Sequence, residues 1–144
     1  MTSIEAAICQ HLADALAPSA GADVQGVWQL VIPQSADTPA VRVQLISEIR
    51  PPHLRGPAGM SFARIQTDVY VGVEDSDDPY ALSTDIMEAV ETALFPEPFE
   101  AGGSPVEIAV ALAAPQGRSP MYDPLETKRV AQTQDFFVWW KRIN

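Results

Sequence analysis

Between residues 41 and 73 the apolar side chains keep period two through two long runs, and this alternation restricts the fold more than any other feature of the chain. In the first run Val41, Val43, Leu45 and Ile49 share one face, and Arg42, Gln44 and Glu48 the other. In the second, Ile65, Val69, Val71 and Val73 face one way and Arg64, Gln66, Asp68 and Tyr70 the opposite way. Successive side chains of a strand point to opposite faces, so the pattern is that of antiparallel strands buried on one side only. Between the runs lies Arg50-Pro51-Pro52-His53-Leu54-Arg55-Gly56-Pro57-Ala58-Gly59, dense in proline and glycine, which reads as the connection of a long β-hairpin. A strand from Ser61 to Glu74 would be roughly 45 Å long at about 3.3 Å per residue, against a typical strand near 20 Å. Its excess is expected to bend or to leave the body of the domain.

A sheet with one apolar face needs a covering layer, and the sequence supplies two amphipathic helices. The first is predicted over Ser3–Leu16, with Ser3 as its cap and Ile4, Ile8, Leu12 and Leu16 as its stripe. Pro18 and Gly21 stop it. The second is predicted over Pro79–Leu94, with Asp78 as N-cap and Pro79 at the first helical position. Its stripe is Leu82, Ile86, Val90 and Leu94, with Met87 and Ala93 alongside. Further strands are predicted at Val27–Ile32, around Val106–Leu112, and from about Arg129 to Lys141, with a loop over Ala114–Lys128. The order is α-β-β-β-α-β-β. An α+β two-layer sandwich, with both helices on one face of a mostly antiparallel sheet, buries all these stripes together. Residues 1–144 are expected to form one domain. Ile8, Leu12, Val43, Ile65, Val69, Ile86, Val90 and Val110 are its expected core.

Several function classes lack raw material. The single cysteine, Cys9, lies beside the first helical stripe, and only two histidines, His11 and His53, accompany it. Neither a nucleophilic triad nor a Cys/His metal centre can be assembled from these, so no catalytic, cofactor or metal residues are assigned. Gly56-Pro57-Ala58-Gly59 and Gly102-Gly103 lack the lysine and the strand–loop–helix context of a phosphate loop. The acidic run Glu74–Asp78 lacks the spacing of a calcium loop and is explained by helix capping. No apolar run is long enough for a membrane span, and the N-terminus lacks a basic signal start. A soluble protein made in the cytoplasm is expected.

Charge and aromatic placement point to contacts with other proteins. The formal net charge is −10, which disfavours binding to a phosphate backbone. From Glu74 to Glu107 there are ten acids and no lysine or arginine. The basic residues cluster near the hairpin and the C-terminus, giving a bipolar surface suited to head-to-tail association. In the last strand Phe136, Val138 and Trp140 share the core face. Phe137 and Trp139 fall on the other face, where they would form an exposed apolar patch unless loop residues such as Met121 and Tyr122 cover it. Arg55, Arg64, Asp68, Tyr70, Phe137 and Trp139 are therefore the candidate interface residues. An enzyme using Asp68, Tyr70 or His53 is the competing class, and it lacks paired titratable groups at a recognisable spacing.

The chain also resembles the tail-completion family, the tail terminators or tail-to-head joining proteins of long-tailed bacteriophages and gene transfer agents. The resemblance runs through Ser3-Ile4-Glu5-Ala6-Ala7-Ile8, Pro39-Ala40-Val41, Gly56-Pro57-Ala58-Gly59 and Ala63-Arg64-Ile65-Gln66-Thr67-Asp68. It continues through Tyr122-Asp123-Pro124 to the ending Gln134-Asp135-Phe136-Phe137-Val138-Trp139-Trp140. Phe137, where a polar or basic residue is common, and the Ala114–Lys128 segment depart from the pattern. The resemblance implies a ring-forming α+β protein, typically a hexamer. Such a ring caps the head-proximal end of the virion tail tube, ends tube polymerisation and presents a surface to the head connector or stopper protein. DNA passes through its lumen without specific binding, and the protein is made in the host bacterial cytoplasm. A monomeric neck or head-closure adaptor is the alternative role.

Overall fold

The computed structural model describes residues 3–16, 24–33, 36–49, 52–53, 56–57, 61–94, 99–100, 106–123 and 129–142, with the backbone alone at 52–53, 56–57, 99–100, 106–123 and 141–142. Helix α1 spans Ile4–Ala15 and α2 spans Pro79–Leu94. The strands are β1 (Gly26–Gln29), β2 (Ala40–Ile49), β3 (Pro52–His53), β4 (Gly56–Pro57), β5 (Ser61–Gly72), β6 (Phe99–Glu100), β7 (Val106–Asp123) and β8 (Arg129–Arg142). Six of them form one sheet in the order β1-β2-β5-β8-β7-β6, while β3 and β4 pair separately. Among the described residues only the β1–β2 pairing is parallel. The fold is α+β, with two helices on one face of a mostly antiparallel sheet.

Both helices begin where their caps predict. Ser3 Oγ accepts the Ala6 N–H at 3.0 Å, and Asp78 Oδ1 accepts the Ala81 N–H at 3.1 Å. Each bond satisfies one of the donors left unpaired at a helix start, a contribution of about 1 kcal/mol. The helices bury their stripes in one cluster: Ile4, Ile8, Leu12 and Leu16 from the first helix region, Ile86, Met87, Val90 and Leu94 from the second. These meet Val41, Val43, Ala63, Ile65, Val69, Val71, Phe136, Val138 and Trp140 from the strands. At about 1.5–3 kcal/mol per fully buried large apolar side chain, this cluster is the main source of stability. Of the expected core, Val110 alone lies where only the backbone is described.

The core face also holds polar groups that the periodicity does not reveal. Gln132 on β8 donates through Nε2 to Ser83 Oγ at 2.8 Å and Thr84 Oγ1 at 2.6 Å, tying the strand to α2. The Thr67 hydroxyl donates to the Gln134 carbonyl at 3.1 Å. Buried polar atoms cost free energy unless bonded, and these pairings remove that cost.

Four sequence expectations need correction. First, β2 carries a bulge between Leu45 and Ser47, so the partner of Arg64 is Ser47 and the partner of Phe62 is Ile49. One extra residue reverses the alternation. Ile49 thereby joins the face away from the helices and is 59% exposed, while Glu48 pairs with Ala63 on the core side. The Leu45 N–H at the bulge is accepted by Glu5 Oε2 of α1 at 2.9 Å. Second, the strand at Val27 ends at Gln29, not Ile32. Leu30 has φ 66°, and Val31 N–H bonds back to the Gln29 carbonyl at 2.7 Å. This is a γ-turn at positive φ, a strained conformation for a leucine, costing of order 1–3 kcal/mol. Third, β5 stops at Gly72, leaving Val73 in the following turn, and it does not leave the body. β8 runs beside it from Ser61↔Trp140 to Gly72↔Arg129, so the length of β5 is matched by an equally long neighbour. Fourth, the expected loop from Ala114 is strand as far as Asp123, re-paired with β8 after a register shift between Ala113 and Arg118.

Candidate functional site

The face of the sheet turned away from the helices carries five of the six predicted interface residues. It consists of Phe62, Arg64, Gln66, Asp68 and Tyr70 of β5 and Ala131, Thr133, Asp135, Phe137 and Trp139 of β8, paired directly across the ladder. The structure brings Arg64, Asp68, Tyr70, Phe137 and Trp139 onto this one face. Arg55 lies outside the described residues.

Asp68 is at its centre and is wholly buried. Its Oδ2 accepts Arg42 Nε at 2.7 Å and a second Arg42 nitrogen. Its Oδ1 accepts Gln66 Nε2 at 3.0 Å and the Thr133 hydroxyl at 2.5 Å. Each carboxylate oxygen therefore takes two donors, which fills the acceptor sites of an ionised carboxylate. The donors come from β2, β5 and β8, so one anion fastens three strands. The Arg42 guanidinium also sits 5.9 Å from the centre of the Tyr70 ring, within cation–π reach. Burial, then the Asp68 charge, pushes the Tyr70 phenol above its ordinary pKa, with Arg42 and Arg129 opposing.

Arg64 does not bond to Asp68, although sequence places both on one face. It turns diagonally to Asp135, with Nε 2.9 Å from Oδ2 and a second nitrogen closer still. Beyond this pair lies an aromatic group. The Phe62 ring centre is 5.4 Å from that of Phe137 and 4.7 Å from that of Trp139, both tilted. Such tilted contacts are the favoured aromatic geometry. Phe137 and Trp139 are consequently half-buried, where the sequence reading has them as an exposed patch. Phe62 was missed. The signal that finds it is the ladder position opposite Trp139, which needs the register.

Ile49, 59% exposed, lies on this same face opposite Phe62, and a second exposed apolar group lies at the end of β1. Leu30 and Val31 are 51% and 67% exposed, beside a shallow pocket of about 220 Å³ that they line with Ile32, Arg42, Tyr70 and Arg129. A larger open groove, about 660 Å³, runs past Arg129 to Asp37, Thr38, Gly72, Glu74 and Asp75. Asp75 Oδ2 accepts the Gly72 N–H there at 2.8 Å. A Cβ on Gly72 would stand 2.8 Å from Thr38 Oγ1 and 3.2 Å from Asp75 Oδ2, so a larger residue would displace these side chains. Among the described residues no group of three or more His, Cys, Asp or Glu is arranged to hold a metal ion. Cys9 is a half-buried thiol donating to the Val27 carbonyl at 3.5 Å, and burial, with Glu5 adding, raises its pKa and disfavours the reactive thiolate. Among the described residues no helix is long and apolar enough to cross a membrane.

No protein-family model and no curated protein matches the chain. Among solved structures it is similar in fold to a chain of the "Virion of native gene transfer agent (GTA) particle". That likeness has a TM-score of 0.61 at 15% identity, and it covers 96% of this chain and 95% of the other. At this identity the likeness is one of fold, and it extends over nearly the full length of both chains.

Proposed function

We propose that this chain is a structural virion protein of a tailed phage or gene transfer agent, and specifically a tail terminator acting as one domain over residues 1–144. Copies form a ring, a hexamer by the family resemblance, on the head-proximal end of the tail tube. The ring ends tube polymerisation and offers its other side to the head connector or stopper. DNA crosses the lumen without specific contacts, as expected for a subunit of net charge −10.

The observation that carries this reading is the face of the sheet turned away from the helices. Arg64, Asp68, Tyr70, Phe137 and Trp139 lie together there on ladder-paired strands, held by ion pairs and aromatic contacts. A rigid, mixed aromatic and charged face is the composition of a protein-binding surface, not of a cleft that encloses a small substrate. The full-length likeness to a gene transfer agent virion chain supports the same direction.

The test combines mass in solution, negative-stain imaging and a tube-growth assay with the cognate tube protein. Rings at tube ends and arrested growth are expected. A monomer that binds connector but never tube ends would make the chain a neck adaptor instead.

A further inference from the structure

We propose that the open edge of β2, from Gln44 to Ile49, binds an extended segment of another protein as an added strand, with a large apolar side chain of that segment seated beside Ile49. A strand can dock there whether or not copies of the chain form a ring.

The edge is opened by a turn. β1 runs parallel to β2 only as far as Gln29↔Val43, whereas β2 continues to Ile49. The Leu30 N–H still reaches the Val43 carbonyl at 2.9 Å, and the γ-turn at Leu30 then takes the chain off the edge. β3 pairs with β4 and not with β2, so among the described residues no strand flanks Gln44–Ile49 on that side. The Leu45 N–H beside this gap is accepted by a side chain, the Glu5 carboxylate, and not by a neighbouring strand. The main chain along a strand edge is matched by one partner geometry, another extended backbone.

Apolar exposure gathers at the same edge. Among the described residues six large apolar side chains are exposed, and five of them, Trp28, Leu30, Val31, Ile46 and Ile49, lie on β2 or at the end of β1. Proteins ordinarily blunt an exposed edge with lysine, proline or a bulge. Here the bulge and Glu5 blunt the near end. Residues 46–49 carry neither lysine nor proline, and two of the four are exposed isoleucines.

The ladder names the side chain that an added strand would bring. On the face turned away from the helices Trp139, Phe62 and Ile49 form one row across β8, β5 and β2. Ile49 ends that row 59% exposed. Directly opposed side chains are the unit of sheet stabilisation, so an apolar residue beside Ile49 lengthens the row. The next row on this face is Phe137, Arg64 and Ser47, and it ends in exposed Ser47, which suits a polar residue two positions along the segment. A second copy offering the same edge about a two-fold axis, with Gln44–Ile49 fully overlapped, would bring Gln44 beside Ile49 instead of an apolar side chain. The row is therefore completed by a segment of different sequence.

The experiment titrates the isotope-labelled full chain, followed by nuclear magnetic resonance, with a pool of short end-capped peptides. Each holds Ile, Leu, Phe or Trp at a central position and Thr or Ser two positions to either side. Shift changes and slowed amide exchange are expected at residues 44–49. N-methylation of alternate backbone amides in the best binder should raise its dissociation constant about tenfold or more, because the added ladder loses its hydrogen bonds. Exchanging its central residue for Ser should weaken it similarly, and so should Ile49→Lys, with circular dichroism to establish that this variant folds. Should Ile49→Lys fail to fold, the exchange in the peptide carries the same test. A pool with no binder, changes centred elsewhere, or binding indifferent to N-methylation would overturn the proposal. So would a wild-type chain that self-associates with its amides at 44–49 protected, since the edge would then belong to a second copy.

Discussion

On β8, Phe136, Val138 and Trp140 disappear into the core, while Phe137 and Trp139, one residue out of step, stay half-open on the face turned away from the helices. The two faces of this strand have almost the same composition at that end and different duties. Inside, the side chains are fixed by contact with α2 and with the other strands, and their worth is measured in burial. Outside, the same residue types meet the Phe62 ring and share their face with the Arg64–Asp135 ion pair. The comparison teaches that hydrophobicity alone does not separate core from interface in this chain. What separates them is parity along the strand, together with what lies above each face.

The largest expected effect comes from the inner face. Trp140 is 2% exposed, and Trp140→Ala should cost roughly 3–5 kcal/mol in denaturant unfolding. Trp139→Ala should cost less than half as much, about 1–2 kcal/mol, because it loses one tilted aromatic contact and partial burial. Yet Trp139→Ala should be the variant that impairs tube or connector docking. Equal losses of stability would break the comparison, since both faces would then be core.

Within the outer face the two ion pairs sharpen the contrast. Asp68→Ala strands the Arg42 guanidinium and removes the anchor of three strands, so a loss of about 3 kcal/mol is expected. Arg64→Ala opens a pair that is partly solvated and should cost less than about 1 kcal/mol, diminishing further with added salt. Denaturation midpoints at low and high salt measure both. If Arg64→Ala proves as costly as Asp68→Ala, the outer face is more enclosed than its exposure indicates.

The smallest effect is alkaline. Burial raises the pKa of both Cys9 and Tyr70, so the folded state holds their protons more tightly than the unfolded chain does. For a raised pKa, the stabilisation is complete below the unfolded value and is lost as pH rises through the folded one. Stability should therefore decline from the ordinary thiol range upward, through and beyond the ordinary phenol range. Cys9→Ala should flatten the first part of that decline, and unfolding midpoints across the alkaline range would reveal it. An unchanged slope would mean that the thiol is solvated in the folded protein.

Period and punctuation carried most of the fold. Ser3 and Asp78 mark the helix starts because caps are local chemistry, and Ile8, Leu12, Ile86 and Val90 are core because helical stripes survive without knowledge of neighbours. Where the reading failed, the cause was a residue whose conformation is set elsewhere. Ile49 and Glu48 exchanged faces because of a bulge that no local pattern announces. Leu30 broke a strand although leucine rarely adopts positive φ. The candidate site was legible as a set of outward residues, but not as a set of bonds. That Arg42 rather than Arg64 holds Asp68, and that Phe62 supports Trp139, depends on register, which the sequence leaves open until strands are paired.

The carboxylate of Glu5, forty residues away in sequence, accepts the Leu45 N–H beside the bulge. Its consequence is historical as much as physical. β2 is one residue longer than the ladder requires, and a charge on another element makes that surplus tolerable. Losing Ile46 by deletion would straighten the strand while leaving Ser47, Glu48 and Ile49 opposite Arg64, Ala63 and Phe62, and Glu5 would no longer have a bulge to serve. The extra residue and the helix acid are thus a linked pair of characters, and a lineage that drops one is under pressure to change the other.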